Sequence, residues 1–378
     1  MLSDKEIERS ASRIMTQSTK SNSSHSPVTG KLSPSGSANG FSSTLSRVLV
    51  TGGTGFIGRN LLSRLSGTES QLRVAVRPGG QSRLPALPSL QVHEGSMQRA
   101  EDWYRAVDGV DTVIHLVGAT AGSRSELLQV NRDITLNLAR ACSEVPNPPR
   151  MIYVSSLSAG GPSQRSLPRH PREVSRPISN YGRSKYEGEL AALSFAHRVP
   201  TTILRPGIVF GTGDKEVIRL LDPIARLGLN PMAGFHDPEI AFVHVEDLID
   251  AIIAAAVHGR RCEGSEPHHG DGRGVYYVAD REFITFSQFA KYAADGLWRK
   301  WVFNLRMPLS LVGSVAWVNE QTGRLFGVRS TFNPDKIREA SCAAWTCDLE
   351  STEQELGWSP AASLQERVHQ FASTYKKR

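Results

Sequence analysis

A tyrosine and a lysine, Tyr181 and Lys185, stand four residues apart within the stretch NYGRSKYEGE. On a helix, side chains at this spacing share one face. A phenol with its ordinary pKa of about 10 is a poor proton carrier at neutral pH, whereas a neighbouring ammonium favours the phenolate and lowers that pKa. The pair therefore predicts a general acid and base, although many exposed helices carry the same spacing.

A group of hydroxyls follows the strand-like run MIYVSS and comprises Ser155, Ser156 and Ser158. In folds of alternating strands and helices, the carboxyl ends of parallel strands face a common crevice, so a serine here could reach a substrate. A serine at this position can equally cap the turn or helix that follows. The spacing alone leaves both interpretations open.

The apolar run RVLV leads into TGGTGFIG, which places Gly52, Gly55 and Gly58 at intervals of three residues. Such glycines allow a tight turn, let backbone N–H groups approach a phosphate, and let the next helix pack closely against the sheet. The helix N-terminus adds unpaired N–H groups and the positive end of its dipole. The motif predicts a phosphate-binding loop, with an ordinary glycine-rich turn as the alternative.

Strand-like and helix-like segments alternate after residue 46, and this alternation must position the groups described above. Strands are expected at 47–50, 72–77, 90–95, 111–118, 151–156 and 201–210, and helices at 58–67, 100–107, 130–144 and 181–196. This order predicts an α/β fold, a Rossmann-type doubly wound parallel sheet over 47–210. Residues 211–378 should form mainly a smaller substrate-binding lobe, interleaved with the last strands of the sheet.

Together, these motifs resemble the extended short-chain dehydrogenase/reductase family, whose loop reads T-G-x-x-G-x-x-G and whose Tyr-x-x-x-Lys opens the helix after the fifth strand. The resemblance covers residues 47–378 and is strongest to the dihydroflavonol-reductase and 3-beta-hydroxysteroid-dehydrogenase branches. It implies a nicotinamide dinucleotide that carries hydride. It also implies that Tyr181 passes the proton, that Lys185 holds the nicotinamide ribose, and that Ser156 hydrogen-bonds the substrate oxygen.

Further segments match the positions at which this family binds its cofactor. DTVIHLVG resembles the fourth strand, VNRDIT the following helix, and LRPGIVFG the segment that passes the nicotinamide amide. The residues that the resemblance assigns to the cofactor are Gly52, Gly55, Phe56, Ile57, Gly58, Arg77, Leu116, Val117, Gly118, Asn131, Tyr181, Lys185, Pro206, Gly207 and Ile208.

The second strand ends in VAVRPGG, with Arg77 where dinucleotide folds that prefer NAD carry an acidic residue for the ribose 2′-hydroxyl. A guanidinium suits a 2′-phosphate and offers no acceptor to a hydroxyl. The dihydroflavonol-reductase branch has a similar VR-x-P stretch. We therefore expect NADP, with NAD as the alternative and with Arg59 and Arg83 as helpers. A solvated surface arginine is the alternative interpretation of Arg77.

Two features bear on the substrate. Nucleotide-sugar epimerases and dehydratases of this family usually carry an Arg-Asp pair whose arginine binds the diphosphate, where this chain has Ile240 and Ala241. Residues 298–317 are unusually apolar, which suits a lid over a hydrophobic substrate, a helix in the core or a dimer contact. We expect hydride transfer to or from a carbonyl or alcohol. The alternatives are a nucleotide-sugar epimerase or dehydratase and a non-catalytic NADPH-binding regulatory or assembly protein.

The remaining composition narrows the class of protein. Residues 1–46 are rich in Ser, Thr, Asn and Gly, which predicts a disordered tail. The four cysteines form no C-x-x-C pair, which is typical of reduced thiols and a cytoplasmic protein. No segment approaches the ~20 apolar residues that span a bilayer.

The net charge of +7 is scattered, and no nucleic-acid-binding motif accompanies it. His268 and His269 lack a third ligand at metal spacing, so we expect no metal. The expected partner is a small-molecule substrate, and the resemblance makes a homodimer one option.

Overall fold

The structure is a computed structural model that describes residues 45–262, 272–310, 312–314 and 334–375. The predicted tail up to residue 44, the pair His268 and His269, and residues 315–317 of the apolar stretch lie outside the described residues. Leu45 is buried against the core, and its carbonyl accepts a hydrogen bond from Ser70 Oγ at 2.7 Å. Residues 45 and 46 therefore belong to the fold and not to the tail.

Seven parallel strands form the central sheet. They are β1 (Arg47–Thr51), β2 (Gln71–Val76), β3 (Gln91–Glu94), β4 (Thr112–His115), β5 (Arg150–Val154), β6 (Thr201–Pro206) and β11 (Val275–Val278). Their spatial order is β11-β6-β5-β4-β1-β2-β3, so the chain leaves β1 in one direction and returns to β4 on its other side. The predicted doubly wound α/β sheet is confirmed.

Helices cover both faces of this sheet. They are α1 (Phe56–Leu65), α2 (Glu101–Val107), α3 (Arg124–Leu128), α4 (Ile134–Glu144), α5 (Leu157–Gly160), α6 (Asn180–Leu193) and α8 (Val245–His258), whereas α7 (Val217–Leu227) packs in the core of the C-terminal part. Leucines of α1 and aliphatic residues of α8 share one core cluster with the sheet, whereas Trp103 of α2 and Leu138 of α4 share a second cluster. Burial of these apolar faces is what holds the layers together.

Among the described residues, the C-terminal part adds further short strands and helices. These are β7 (Ile208–Phe210), β8 (Leu229–Ala233), β9 (Glu239–Ile240), β10 (Phe242–His244), β12 (Ile284–Thr285), β13 (Phe303–Met307), β14 (Ala344–Trp345), α9 (Phe286–Gly296), α10 (Pro334–Ala340), α11 (Glu350–Leu356) and α12 (Leu364–Ser373). Phe242 stacks on Phe289 in their core, with ring centroids 4.9 Å apart. The boundary at residue 210 stays a prediction, since α8 and β11 pack within the sheet layers.

The single strand expected over 201–210 is wrong, because the chain divides there into β6 and β7. The N–H of Gly207 donates to the carbonyl of Val278 at 3.0 Å, and the next N–H, of Ile208, donates to Ala241 at 2.9 Å. The chain thus changes hydrogen-bonding partners at Gly207 and passes from the large sheet to the strand β10. This change exposes the peptide segment after β6 to the space above the sheet.

The described part of the apolar stretch 298–317 contains a strand and the buried Val312, and its expected role as a lid or a core helix stays a prediction. Its strand β13 pairs in parallel with β8, and Trp298, Trp301 and Phe303 are exposed. A dimer contact at this stretch stays a prediction. Among the described residues, no helix has both the length and the apolar character that crossing a membrane requires.

Candidate active site

A cavity of about 1070 Å³ opens beyond the carboxyl ends of β1, β4, β5 and β6. The predicted site residues on its wall are Gly52, Gly55, Phe56, Ile57, Gly58, Leu116, Gly118, Ser156, Tyr181, Lys185, Pro206, Gly207 and Ile208. The loop residues and the acid–base candidates, which are far apart in sequence, therefore face one space. Arg77, Val117 and Asn131 lie outside this wall.

The glycine loop is built by two close backbone approaches. Gly52 has a φ of +73°, and a Cβ placed there would lie 2.8 Å from the carbonyl carbon of Leu116. A Cβ on Gly58 would lie 2.3 Å from the carbonyl oxygen of Gly52. Only glycine allows the segment after β1 to touch the segment after β4 and allows α1 to begin directly against the loop.

The N-terminus of α1 is suited to an anion. Its N-cap Gly55 has no side chain to accept from the first N–H groups, and the first turn contains no acidic residue. Arg59 and Arg83 line the same end of the cavity, together with Ser82. A cation beside a helix N-terminus is unfavourable by itself, because the dipole end is positive, and becomes favourable when an anion lies between them. These groups fit the pyrophosphate of a dinucleotide.

Asn131 supports the wall from behind. It is buried in a π-helical turn between α3 and α4, and its Oδ1 accepts the N–H of Ala119 at 2.8 Å. Its Nδ2 donates to the hydroxyl of Ser184 on α6 at 2.8 Å. Asn131 therefore ties the loop after β4 to the helix that carries Tyr181, and its contact with a cofactor stays a prediction.

Arg77 and Val117 also lie outside the cavity wall, and their contacts with a cofactor stay predictions. The side chain of Arg77 is exposed at the end of β2, and its carbonyl accepts the N–H of Gly80 at 2.8 Å. Val117 contributes its main chain to the contact with Gly52. The guanidinium groups on the cavity wall belong to Arg59 and Arg83, which were expected only as helpers.

Ser156 caps a helix and also faces the cavity. It is the N-cap of α5, where its Oγ accepts the N–H of Ser158 at 3.2 Å. It also forms a side-chain hydrogen bond with Tyr181 that lowers the pKa of the phenol. Both hydroxyls line the cavity, so an oxygen atom of a substrate could reach the two together.

The expected lowering of the pKa of Tyr181 by Lys185 is wrong. Burial raises the pKa of Tyr181 above its ordinary value, against the opposing effects of the Lys336 ammonium and the Ser156 hydrogen bond. The ammonium of Lys185 instead donates to the carbonyl of Val154 at 2.8 Å and lies 4.6 Å from the centroid of the Tyr153 ring. Burial outweighs the attraction of Glu189 and lowers the pKa of Lys185 to about 8.

A buried ion pair behind the acid–base residues was missed by sequence reasoning. Glu189 accepts from Arg205 Nε at 2.9 Å and Nη2 at 2.6 Å, and from the hydroxyl of Ser155 at 2.5 Å. Glu189 follows Lys185 by four residues, so it lies on the same face of α6. The spacing could have predicted the ion pair, because a carboxylate on the buried face of a helix requires a buried cation.

The end of the cavity beyond Tyr181 combines apolar side chains with charged ones from the C-terminal part. Ile240 and Ala241 line it where an Arg-Asp pair would stand in a nucleotide-sugar enzyme. Other lining residues that the C-terminal part contributes to the cavity are Asp214, Lys215, Glu216, Val217, Pro238, Phe286, Lys336, Glu339, Ala340 and Trp345. Within the described ranges, no cluster of His, Cys, Asp and Glu could hold a metal ion.

The buried ammonium of Lys185 makes stability depend on pH. Its folded pKa of about 8 lies below the ordinary 10.5, so the folded state loses this proton first as the pH rises. The free energy of unfolding that Lys185 contributes should therefore rise by about 3 kcal/mol between pH 8 and pH 10.5. Urea unfolding of the wild type and of Lys185→Met at both pH values measures this, because other titrating groups cancel in the difference. An equal difference at both pH values would contradict the buried ammonium.

Comparisons with known proteins agree with this geometry. Residues 48–267 match the family model described as NAD dependent epimerase/dehydratase family. The chain is 26% identical to the 3beta-hydroxysteroid-dehydrogenase/decarboxylase isoform 1 of Arabidopsis thaliana, over 86% of this chain and 79% of that protein. It is 24% identical to the UDP-glucose 4-epimerase of Vibrio cholerae, over 87% and 95% of the two chains.

Solved structures agree in fold. A dTDP-glucose 4,6-dehydratase from Streptomyces venezuelae, solved with NAD and TYD bound, superimposes with a TM-score of 0.67 at 19% identity, covering 86% of this chain and 95% of that one. At this identity, the likeness is one of fold. With the matched family model and the motifs around the cavity, it leads to one conclusion: the chain belongs to the NAD dependent epimerase/dehydratase family and is an extended short-chain dehydrogenase/reductase.

Proposed function

We propose that this protein is an NADP-dependent oxidoreductase that transfers hydride to or from the carbonyl or alcohol of a small, largely apolar substrate. One observation carries the proposal: Ser156, Tyr181 and Lys185 share a cavity with the N-terminus of α1 and with an apolar wall that includes Ile240. The similarity to hydroxysteroid dehydrogenases of Arabidopsis thaliana and Mycobacterium tuberculosis supports the substrate class.

Each side chain of the site has a separate role in this reaction. When bound, the nicotinamide supplies the hydride, which no side chain can carry. In the reducing direction, Tyr181 donates its proton to the substrate oxygen, and the hydroxyl of Ser156 stabilises the negative charge that develops there. Lys185 places an ammonium at the cavity wall. Of its three N–H donors, one donates to the carbonyl of Val154.

The preference for NADP rests on the charges at the adenosine end of the cavity. β2 ends without a carboxylate that could accept a ribose 2′-hydroxyl, and Arg77 stands at that position. Arg83 and Ser82 line the wall nearby and offer donors to a 2′-phosphate. Arg83 is therefore the stronger candidate for the phosphate ligand, and Arg77 the weaker one.

The similarity to a UDP-glucose 4-epimerase supports a second candidate function, a nucleotide-sugar epimerase or dehydratase that would use a bound dinucleotide. Ile240 and Ala241 argue against it, because neither side chain can neutralise a diphosphate where the Arg-Asp pair would stand. A role as a non-catalytic NADPH-binding protein is disfavoured by the retained acid–base pair. Net NADPH consumption in the presence of a carbonyl compound distinguishes the proposed function from both.

Replacing Tyr181 by phenylalanine tests the proton donor. Turnover of carbonyl compounds, assayed with a panel of oxosteroids and 2-alkyl-3-oxoalkanoates, should fall by about 100-fold or more, since general acid catalysis is lost. NADPH binding, measured by fluorescence, should persist. Tyr104→Phe is the matched control, because Tyr104 lies on α2 and contacts Glu144. Retained activity in Tyr181→Phe would eliminate Tyr181 as the acid.

Replacing Arg83 by alanine tests the cofactor preference. The KM for NADPH should rise about 10- to 100-fold, which corresponds to the loss of one charged hydrogen bond, while the KM for NADH stays unchanged. Arg77→Ala should have a smaller effect because its side chain is exposed outside the cavity wall. Equal changes in the KM values for NADPH and NADH in both variants would refute a 2′-phosphate site.

A further inference from the structure

The short helix α10 packs against the N-terminus of α6, the helix that carries Tyr181. The Oδ2 atom of Asp335 accepts the N–H of Asn180 at 2.6 Å and the N–H of Tyr181 at 3.3 Å. A carboxylate at this place compensates unpaired N–H groups and the positive dipole end. The backbone of Tyr181 is therefore held by a residue that lies 154 positions later in the chain.

A second contact holds the cap of the same helix. Ser179 is the N-cap of α6, and its Oγ accepts the N–H of Gly182 at 2.9 Å. The same hydroxyl donates to Glu339 Oε1 at 2.6 Å. The other oxygen of Glu339 accepts from Lys336 Nζ at 2.8 Å. One carboxylate thus connects the cap of the catalytic helix to the ammonium of Lys336.

This arrangement places Lys336 beside the phenol. Its Nζ lies 5.2 Å from the centroid of the Tyr181 ring, and both residues line the cavity. Burial lowers the pKa of Lys336, but the carboxylates of Glu339 and Glu216 and the hydrogen bond to Glu339 raise it above its ordinary value. Lys336 is therefore charged at neutral pH.

The other groups that face Tyr181 have smaller or opposite effects. Glu339 of α10 and Glu216, which precedes α7, disfavour the phenolate, while Ser156 after β5 donates a hydrogen bond to it. Tyr153 of β5 is neutral, because burial raises its pKa well above the ordinary value. The ammonium of Lys185 is engaged with the carbonyl of Val154. The favourable cation at the ring is Lys336.

We propose that Lys336 is a positioning residue of the reaction: held by Glu339 over the Tyr181 ring, its ammonium stabilises the phenolate that remains when Tyr181 gives its proton to the substrate. This proposal rests on the proposed function. In the oxidising direction the same phenolate takes the proton from the alcohol, and Lys336 favours that starting state. The C-terminal part of the chain thereby completes the acid–base machinery of the sheet domain.

The direct test is the titration of Tyr181. The absorbance of phenolate near 295 nm is followed against pH in the full-length protein, and the matching curve with Tyr181→Phe is subtracted. Lys336→Gln should raise the pKa of Tyr181 by about 1, which corresponds to tenfold less phenolate, and Lys336→Arg should restore the wild-type value. This shift lies at the lower end of the pKa shifts that a neighbouring charge usually causes, because water screens Lys336, whose side chain is 39% exposed.

Two comparisons separate this role from a structural one. Lys215→Gln removes another lysine of the cavity wall and should leave the titration of Tyr181 unchanged. In alcohol oxidation, the rise of kcat/KM with pH should move by the same amount in Lys336→Gln and return in Lys336→Arg. An unchanged pKa of Tyr181 in Lys336→Gln would overturn the proposal.

Failure of the proposed function would give a different result from failure of the proposal for Lys336. A shifted titration together with no turnover in the wild type would leave the electrostatic contact standing and would refute the proposed hydride transfer.

Discussion

The two neighbouring parallel strands β1 and β4 are the constraint on which the site depends. The chain leaves β1 towards the face covered by α1, and it leaves β4 towards the face covered by α4. The segments after the two strands must therefore diverge, and a crevice opens between them. Gly52 brings the backbones of these segments into contact at the base of the crevice, so the N-terminus of α1 lies at a defined place on the cavity wall.

The second half of the site depends on how α6 is held. Its buried face carries Lys185 and Glu189, and the ion pair of Glu189 with Arg205 fixes the helix against β6. Asp335 and Glu339 of α10 hold its N-terminus by hydrogen bonds to Asn180 and Ser179. A helix fixed at its end and along its buried face keeps Tyr181 and Ser156 in mutual reach. Such preorganisation lets the hydroxyls act on a substrate oxygen without a prior rearrangement.

Local sequence patterns were sufficient to predict much of this site. The glycine spacing and the Tyr181–Lys185 spacing each lie within one turn or helix, so the residues that satisfy them are adjacent in the chain. The alternation of strands and helices then brings both motifs to the same edge of the sheet, which confirms the fold class.

What the sequence could not predict depends on burial and on contacts distant in the chain. The pKa of Tyr181 is raised by burial, which no spacing rule reports. Lys336 and Glu339 have the three-residue separation of an ordinary surface ion pair, and only the packing of α10 onto α6 gives the pair its place beside Tyr181. Arg77 follows the second strand, where a ligand of the 2′-phosphate was expected, yet the guanidinium groups at the cavity wall are those of Arg59 and Arg83.

The proposed function requires one dinucleotide to span the cavity from the N-terminus of α1 to Tyr181. A crystal structure of the protein with NADP⁺ would locate it. We expect the pyrophosphate at the first turn of α1, the 2′-phosphate near Arg83, and the nicotinamide beside Lys185 and Tyr181. Electron density that places the nicotinamide away from Tyr181, or the dinucleotide outside this cavity, would contradict it.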